Sequence, residues 1–452
     1  MFGKVTVIKS LILPKFAFLL QAIPIPKECQ KQINTMIFNF VWSNKSEKIK
    51  RNTLIGNKLE GGLEVPDIEI YSKTLKLKWV KSLSSNEEAN WKVIPKFFLN
   101  QYGQDLLILK MNIDSLKSLP IVKHNIPIFY KDLLNYYIEI NSPYKRPNTF
   151  HEIRTQILWG NCFIKFKGKC LVYHSWLKSG VIFINDIIDE NGEIKETIID
   201  KIDNKTNWIS EFSRLKTAIP NSWKNSLLSE ISIRSIVRTN FSVFGNNVSI
   251  INSNNKDIKK LFVTKKFECP YMHSFWDTKF NFNINWKSVY LIINKVYVDN
   301  RIKELKLKII HKIVPTNENL FKWKLIETPY CKHCEEIETL EHFFINCNYI
   351  RDFKQKIEVL LKRLGITKHI DMFNIIFGYK IQYKAYNDIN IILGYVTFTI
   401  YKCYMKSERR LKQIYMLKIL FNELLTLEKY YKKNKLDHPI ISKFINALRD
   451  II

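Results

Sequence analysis

The chain has 452 residues, of which 46% are hydrophobic and 13% aromatic, with only 13 glycines and 14 prolines. This composition supports a large buried core and excludes a disordered chain or a Gly/Pro-rich fibrous protein. The net charge of +29, from 71 Lys and Arg against 42 Asp and Glu, favours a polyanionic partner. Only 12 of the basic residues are Arg, the side chain best suited to phosphate, so AT-rich codon usage is an alternative source of the charge.

The sequence carries no evident targeting signal. Lys4, Lys9 and Lys15 interrupt the apolar N-terminus, which therefore lacks the continuous apolar run of a signal peptide. The apolar stretch 389–401 is shorter than the ~18 residues that a membrane span needs. Eight irregularly spaced cysteines do not suggest a disulfide framework. We therefore expect a soluble, intracellular protein without a membrane partner.

Residues 1–84 form the first predicted domain, which is helical and basic, with 14 Lys and Arg against 6 Asp and Glu. A first helix is interrupted by Pro14, and a second begins after Pro24 and Pro26. A third is expected to start near Asp67, an N-cap residue type. The second helix carries an apolar stripe of Ile33, Met36, Ile37, Phe40 and Val41.

Residues 85–283 form the second predicted domain, a connecting region of mixed character. The sequence predicts a hairpin with strands at 162–166 and 169–173 and a turn at Lys167-Gly168. A further turn is expected at Glu190-Asn191-Gly192, and helices at 208–215 and 222–237. The Asn/Ser-rich segment 246–257 is interpreted as a linker.

Residues 284–364 and 365–452 are the third and fourth predicted domains, and both show helical periodicity. In the third, an apolar face is formed by Ile302, Leu305, Ile309 and Ile313, with Lys303, Lys306 and Lys308 away from it. The fourth is expected to be a pair of long helices with a seam of Leu417, Leu420, Leu424 and Leu427. The predicted fold class is mainly α, a multi-part helical protein with a small β hairpin and a zinc knuckle.

One Cys/His cluster carries the strongest chemical signal. Cys331 and Cys334 are separated by two residues, and His342 and Cys347 follow within 13 more. Three thiolates and one imidazole favour Zn2+ over hard cations, and four protein ligands leave no open position. The spacing therefore predicts a structural zinc site, with His333 as a competing ligand and ordinary buried cysteines as the alternative.

A search for catalytic machinery finds little. No two aspartates are adjacent, and neither a Gly-rich phosphate loop nor a nucleophile elbow is present. An acidic group at 186–193 includes Asp186, Asp189, Glu190 and Glu193, with Lys195 beside it. It could mimic part of a metal nuclease site, but solvated acids around a turn are the ordinary interpretation.

Basic side chains of the first domain are the candidate nucleic-acid contacts. Phosphate neutralisation by such residues is independent of sequence and sensitive to salt. A solvated helix face explains each of them equally well. The candidates are Lys4, Lys9, Lys15, Lys48, Lys50 and Arg51, with Lys45 in the same loop.

Several segments resemble non-LTR (LINE-type) retrotransposon reverse transcriptases. The first group is FGKVTVIKSLILPK (2–15), AIPIP (22–26), FNFVW (38–42) and GGLEVPD (61–67). These resemble the helical thumb, which in that family holds the primer–template duplex. The segments IND (184–186) and SRLKTAIP (213–220) resemble its connecting region. The Cys/His cluster, preceded by HKIVPTN (311–317), resembles its zinc-binding domain.

The resemblance implies a carboxyl-terminal portion of such an enzyme, with thumb, connecting region and zinc-binding domain. The palm aspartates that hold two catalytic metal ions in this family would precede Met1. We therefore expect no polymerase activity and no catalytic residues, a structural Zn2+, and RNA, RNA–DNA hybrid or DNA as partner. A full-length retrotransposon protein is a further expected partner, and the resemblance implies nuclear residence.

Two alternatives remain open at this level. The chain could complete an active reverse transcriptase or endonuclease in trans, with a palm supplied by another molecule. It could also be the inert product of a truncated transposable element. The sequence alone does not show whether the lysines converge in space, which is the feature that separates a binding protein from an inert one.

Overall fold

The computed structural model describes residues 1–83, 88–100, 127–141, 146–189, 191–195, 202, 207–228, 242–243, 248–249, 253–366, 370–379, 384–406 and 413–452. It is 67% helical. The α-helices in chain order are α1 (Phe2–Val7), α2 (Leu13–Ala22), α3 (Lys27–Trp42), α4 (Arg51–Leu54), α5 (Ile68–Leu83), α6 (Val93–Asn100), α7 (Ile128–Asn141), α8 (Phe150–Arg154), α9 (His174–Lys178), α10 (Trp208–Ala218), α11 (Asn221–Leu228), α12 (Asn255–Lys266), α13 (Met272–Phe280), α14 (Trp286–Leu291), α15 (Asn300–Ile310), α16 (Asn317–Lys322), α17 (Asn348–Arg363), α18 (Met372–Phe377), α19 (Lys384–Lys406), α20 (Gln413–Lys433) and α21 (Pro439–Arg449).

Shorter elements complete the described secondary structure. Three π turns lie at Ile8–Ile12, Ile292–Val296 and His342–Asn346, and three 3-10 turns at Lys58–Glu60, Asn90–Lys92 and Ile184–Asp186. Strands β1 (Lys165–Phe166) and β2 (Lys169–Cys170) pair antiparallel, as do β3 (Ser242–Val243) and β4 (Val248–Ser249). The predicted class, mainly α with a small hairpin, is therefore confirmed.

The chain forms two compact units whose segments alternate along the sequence. The first unit contains residues 1–11, 35–66 and 266–452, and the second contains residues 12–34 and 67–265. These units are compact groups of segments, whereas the sequence analysis divides the chain into four consecutive domains. The four-domain division stays a prediction.

The core of the first unit lies among the C-terminal helices. Helices α19, α20 and α21 pack against one another, and α15 and α17 pack on them. The predicted leucine seam of α20 is confirmed, because Leu417, Leu420 and Leu424 are 0% exposed. Gly394 of α19 packs against the ring of Tyr297, and a Cβ added to Gly394 would lie 2.5 Å from that ring. Helix α19 can therefore lie this close to Tyr297 only with a glycine at position 394.

The last segment holds two further helices, α18 and α21, that periodicity did not separate from the pair. The start of α21 is fixed by Asp388 of α19. One carboxylate oxygen of Asp388 lies 2.6 Å from His438 Nδ1, and the other accepts from the backbone N–H of Ile440. The contact spans 50 residues of sequence, so only the tertiary fold brings the cap to the helix.

The second unit has its own core. Helix α5 packs between α2 and α7. Trp159, Trp176 and Trp223 are at most 1% exposed. The Trp159 indole donates to the carbonyl of Val181 (2.7 Å), and the Trp176 indole donates to Glu211 (2.8 Å). The Trp223 indole N–H has no partner among the described residues, so the hydrogen-bonded pair Trp159 and Trp176 anchors this core.

Two local predictions in this unit are confirmed. Asp67 Oδ1 accepts from the backbone N–H groups of Glu69 and Ile70, so it caps α5. The hairpin turns at Lys167 and Gly168, whose φ angles of 48° and 78° are those of a type I′ turn. Its strands are shorter than predicted, with two residues each.

Pro14 does not interrupt the first helix, contrary to the prediction. It lies in the first turn of α2, where no backbone donor is needed, and the π turn Ile8–Ile12 joins α1 to α2. The continuous helix Phe2–Ala22 is long and apolar enough to cross a membrane by length and composition, and 22% of its most apolar 18-residue window is buried. Lys4, Lys9 and Lys15 therefore do not prevent this helix from reaching the length of a membrane span.

Other expectations from periodicity were wrong in detail. Helix α15 ends at Ile310, so Ile313 is not on its apolar face, and Lys306, expected away from that face, is 2% exposed. Met36 and Phe40, expected in the buried stripe of α3, are 68% and 42% exposed. The expected linker at 246–257 contains β4 and the start of α12, and its residues 246–247 and 250–252 lie outside the described residues.

Candidate metal centre and basic residues

A tight backbone turn places the first two cysteines. The N–H of Cys331 donates to the carbonyl of Glu336 (2.7 Å), and the N–H of Glu335 donates to the carbonyl of Cys331 (3.1 Å). Tyr330 and Ile337 form an antiparallel bridge outside this pair. Glu335 has φ 59°, the left-handed conformation that reverses the chain. The loop therefore presents Cys331 and Cys334 to the same side.

The four predicted ligands converge. One ligand atom from each of Cys331, Cys334, His342 and Cys347 lies within 4.8 Å of every other. The Sγ of Cys347 is 3.8 Å from that of Cys331 and 3.6 Å from that of Cys334. A tetrahedral ion with Zn–S bonds of about 2.3 Å requires Sγ–Sγ distances of roughly 3.8 Å. The spacing of the thiols therefore fits a tetrahedral metal.

The imidazole of His342 presents one nitrogen to this group. Its Nδ1 lies 3.0 Å from a carboxylate oxygen of Glu336, and its buried Nε2 has no partner among the described residues. A hydrogen bond from Nδ1–H to a carboxylate fixes the tautomer and leaves Nε2 as the ligand. The π turn His342–Asn346 carries the ring to the start of α17, where Cys347 is the N-cap.

Hydrogen-bond donors surround the sulfur atoms. The backbone N–H of His333 donates to Cys331 Sγ (3.4 Å), and that of Asn348 donates to Cys334 Sγ (3.2 Å). The hydroxyl of Tyr404, on α19, lies 3.7 Å from Cys331 Sγ. Such donors stabilise thiolates and orient them. Sequence analysis did not predict the contacts of Glu336 with His342 and of Tyr404 with Cys331. Tyr404 is 73 residues from Cys331 along the chain.

The thiols alone resist ionisation. Burial raises the pKa of Cys331 and of Cys347, and the charge of the neighbouring Cys334 thiolate raises both further. Three adjacent thiolates therefore require a cation at their centre. The donor set and its spacing fit a divalent ion of the zinc type, and the described residues leave no open coordination position.

His333, the competing ligand, has a different environment. Its ring stacks on Tyr349, with centroids 4.4 Å apart and planes at 11°. It is not part of the group of four ligand atoms. The preference for His342 over His333 therefore agrees with the geometry.

A second Cys–His contact has no ionised thiol. Cys269 Sγ lies 3.3 Å from His273 Nδ1, and His273 Nε2 lies 2.7 Å from the hydroxyl of Tyr290. Burial lowers the pKa of His273 to about 4 and raises the pKa of Cys269. Both groups are thus neutral at pH 7, which is unsuitable for a nucleophilic pair.

The acidic cluster serves the backbone. Asp186 Oδ2 accepts from the N–H groups of Ile182 and Phe183, and Asp189 Oδ1 accepts from those of Asn191 and Glu193. The predicted turn at Gly192 is confirmed by its φ of 80° and its hydrogen bond to Asp189. Glu190 lies outside the described residues. Carboxylates that accept from backbone N–H groups order turns. These contacts favour acids around a turn over part of a metal nuclease site.

Three of the six candidate phosphate contacts have a carboxylate partner. These partners lie 2.6–2.8 Å away, and all six side chains of the pairs are partly exposed. Exposed pairs contribute only about 0–1 kcal/mol, so a phosphate can displace them at small cost. The pairs are Lys9–Glu64, Lys50–Glu268 and Arg51–Glu47.

The other three candidates differ in environment. Lys4 Nζ donates to the carbonyl of Phe40 (2.7 Å) and to the hydroxyl of Ser43 (2.5 Å), which leaves its charge in place. Lys48 Nζ lies 4.0 Å from the ring centroid of Trp323, a cation–π contact. Lys15 is exposed on α2 and belongs to the second unit, whereas the other five belong to the first.

A scan of protein-family models finds none that matches this chain.

Proposed function

We propose that this chain is a nucleic-acid-binding, non-catalytic portion of a LINE-type reverse transcriptase, with a structural zinc ion in its C-terminal part. The observation that carries the proposal is the convergence of Cys331, Cys334, His342 and Cys347 within 4.8 Å, in the order and spacing of that family's zinc-binding segment. The thumb-like segments at 2–15 and 61–67 add to the resemblance.

Zinc is the proposed metal because of the donor set. Thiolate and imidazole are ligands of zinc rather than of magnesium or calcium, and a closed set of four is typical of structural sites. The ion would be held by the turn at 331–336 and by the start of α17, two short segments joined by few residues. It would supply charge neutralisation and a cross-link, and no chemistry of its own.

Nucleic-acid binding is supported by charge. The net charge is +29, and Lys4 and Lys48 are absent from the ion pairs of the described residues. Lys48 is held on Trp323, and an aromatic ring with an adjacent cation suits an unpaired base or a phosphate. We propose RNA, an RNA–DNA hybrid or DNA as the partner, an intracellular and nuclear location, and no polymerase activity without a palm supplied in trans.

The zinc proposal is tested by metal content and by a second variant outside the ligands. We expect one zinc per chain, lost in Cys331→Ser/Cys334→Ser. Glu336→Gln should keep the ion but weaken it about 10–100-fold in competition with a chromogenic chelator, since Glu336 orients His342. Glu335→Gln is the matched control, because it removes the same charge from an exposed neighbouring residue. Equal affinities for both variants would contradict the assignment of His342 Nε2.

The nucleic-acid proposal is tested by fluorescence anisotropy with an RNA–DNA hybrid over a range of salt concentrations. Binding through about four phosphates gives a slope of log affinity against log salt near −3.6. We expect Lys4→Gln/Lys48→Gln to reduce this slope by about 2, while Lys287→Gln, which changes an exposed lysine of α14, leaves it unchanged. Weak binding with the same slope in every variant would favour the inert product of a truncated element.

A further inference from the structure

A recess in the first unit gathers lysines from three separate segments. It has a volume of about 450 Å3 and lies between α1 with its π turn, the turn Lys58–Glu60, and the start of α15. Lys9, Lys58 and Lys303 line it, together with the hydroxyl residues Thr6 and Ser10. No Asp or Glu is among the lining residues. A recess of this volume is in the range of small-molecule sites.

The charges of the recess are not balanced. Lys9 pairs with Glu64 at 2.8 Å, but neither Lys58 nor Lys303 belongs to an ion pair of the described residues. Lys303 is half-buried, and its pKa is lowered first by burial and then by the charge of Lys58, against an opposing effect of Asp299. Asp299 is itself held by Arg301, whose guanidinium lies 2.6 Å from it. Two ammonium groups therefore repel each other across a partly desolvated space.

Three of the other polar lining side chains are already used within the protein. The hydroxyl of Thr6 donates to the carbonyl of Phe2, and that of Ser10 donates to the carbonyl of Thr6 (2.8 Å). The amide of Asn294 donates to the carbonyls of Tyr290 (2.8 Å) and Lys58 (3.2 Å). The donors left for a ligand are thus mainly ammonium groups. This selects an anion with several acceptor oxygens.

The position of Lys58 is fixed by its turn. Asn57 Oδ1 accepts from the N–H of Leu59 (2.9 Å), and Asn294 holds the carbonyl of Lys58. Gly61 follows with φ 94°, and an added Cβ would lie 2.7 Å from Pro270 and from Tyr290. Only glycine fits there. The turn is therefore ordered before any ligand arrives, which reduces the entropy lost on binding.

We propose that this recess, the lysine recess, is a phosphate-binding site in which Lys58 and Lys303 hold one phosphate or pyrophosphate group. The phosphate can come from a nucleic-acid strand or from a small phosphorylated molecule. The site does not depend on nucleic-acid binding by the remainder of the chain, so it stands or fails separately from the proposed function.

The test uses the full chain and inorganic pyrophosphate at low ionic strength, measured by isothermal titration calorimetry. We expect Lys58→Gln and Lys303→Gln each to weaken binding about tenfold, and the double variant about a hundredfold. Lys287→Gln removes the same charge outside the recess and should bind as the wild type does. Equal affinity in the double variant and the wild type would overturn the proposal, as would an equal loss in Lys287→Gln.

A measurement on the wild-type chain keeps the proposal testable if a variant fails to fold. Limited acylation of lysines, mapped by peptide mass spectrometry, should be slowed by pyrophosphate at Lys58 and Lys303 and not at Lys287. Uniform rates with and without pyrophosphate would overturn the site.

The source of the phosphate is distinguished in a third arm with an RNA–DNA hybrid. If pyrophosphate displaces the hybrid from the wild-type chain, and the double variant binds the hybrid more weakly, a strand phosphate occupies the recess. If the double variant loses pyrophosphate but keeps the hybrid, the occupant is a small phosphorylated ligand. Either result supports the site, and loss of hybrid binding with pyrophosphate binding intact in the double variant contradicts it.

Discussion

Lys306 shows how one buried charge makes stability depend on pH. Its side chain is 2% exposed, and its Nζ donates to the carbonyl of Ile375 at 2.6 Å. Burial lowers the pKa of Lys306 to about 7 from the ordinary 10.5. Between these pH values the unfolded chain holds a proton that the folded chain has lost, so the free energy of unfolding rises with pH.

The variant Lys306→Met should therefore be more stable than the wild type at pH 7. We expect a gain on the order of 3 kcal/mol that shrinks toward zero near pH 10, after the lost hydrogen bond to Ile375 is allowed for. Urea unfolding at pH 6, 7, 8, 9 and 10 measures the difference between the two chains. A difference that is constant over this range would show that Lys306 does not titrate in the folded state.

Glu338 gives the opposite dependence. It is 0% exposed, its Oε1 accepts from the backbone N–H of Asn317 (2.8 Å), and its Oε2 has no partner among the described residues. Burial raises the pKa of Glu338 to about 7 from 4.5. In this window the folded chain holds the extra proton, so the free energy of unfolding falls as the pH rises.

Glu338→Gln should remove this loss, because an amide keeps the acceptor for Asn317 without a charge. We expect the variant to be more stable than the wild type by on the order of 2–3 kcal/mol at pH 8 and by much less at pH 5. Thermal unfolding of both chains across this range is the measurement. Glu327→Gln, an exposed glutamate, should show no such dependence, and a similar curve for it would refute the role of Glu338.

At the scale of an element, helix α20 contributes through its buried face. Leu424 is 0% exposed between α19 and α21, whereas Ile414 on the same helix is 46% exposed. Leu424→Ala removes buried methyl groups and leaves a cavity, which costs about 2–5 kcal/mol. Ile414→Ala should cost less than about 1 kcal/mol. Chemical denaturation compares the two, and equal losses would mean that the leucine seam is not the core of the bundle.

The Cys/His turn is the element that the sequence predicted best. All four ligands lie within 17 residues, so a two-residue spacing and one short turn are enough to bring them together. By contrast, periodicity placed Lys306 on the wrong face of α15. A helical wheel assumes one buried side, and α15 is covered on more than one side, by α18 and α19 among others.

At the scale of the whole molecule, the two units each have a core of their own. The Cys/His group that could hold a metal lies in the first unit, whereas Trp159 and Trp176 anchor the second. Removal of the metal should therefore act locally, because three uncompensated thiols no longer hold the 331–347 segment together.

We expect a chelator to speed amide hydrogen exchange in 331–347 and in α17 by at least tenfold, and to leave exchange in α5 and α7 unchanged. Peptide-resolved mass spectrometry is the measurement. The Cys331→Ser/Cys334→Ser variant is the control, since it should exchange fast with or without chelator. Equal acceleration in α5 would contradict independent cores.

The sequence by itself determined what depends on neighbours along the chain. It predicted the helical class, the cap at Asp67, the Lys167-Gly168 turn, the seam of α20 and the Cys/His group that could hold a metal, because turn chemistry and helical periodicity act over a few residues. Only the tertiary structure decided which lysines are paired, buried or gathered. Lys50 meets Glu268 across 218 residues, and the lysine recess joins segments around residues 6, 58 and 303. Such contacts follow from how whole helices pack, which no local pattern encodes.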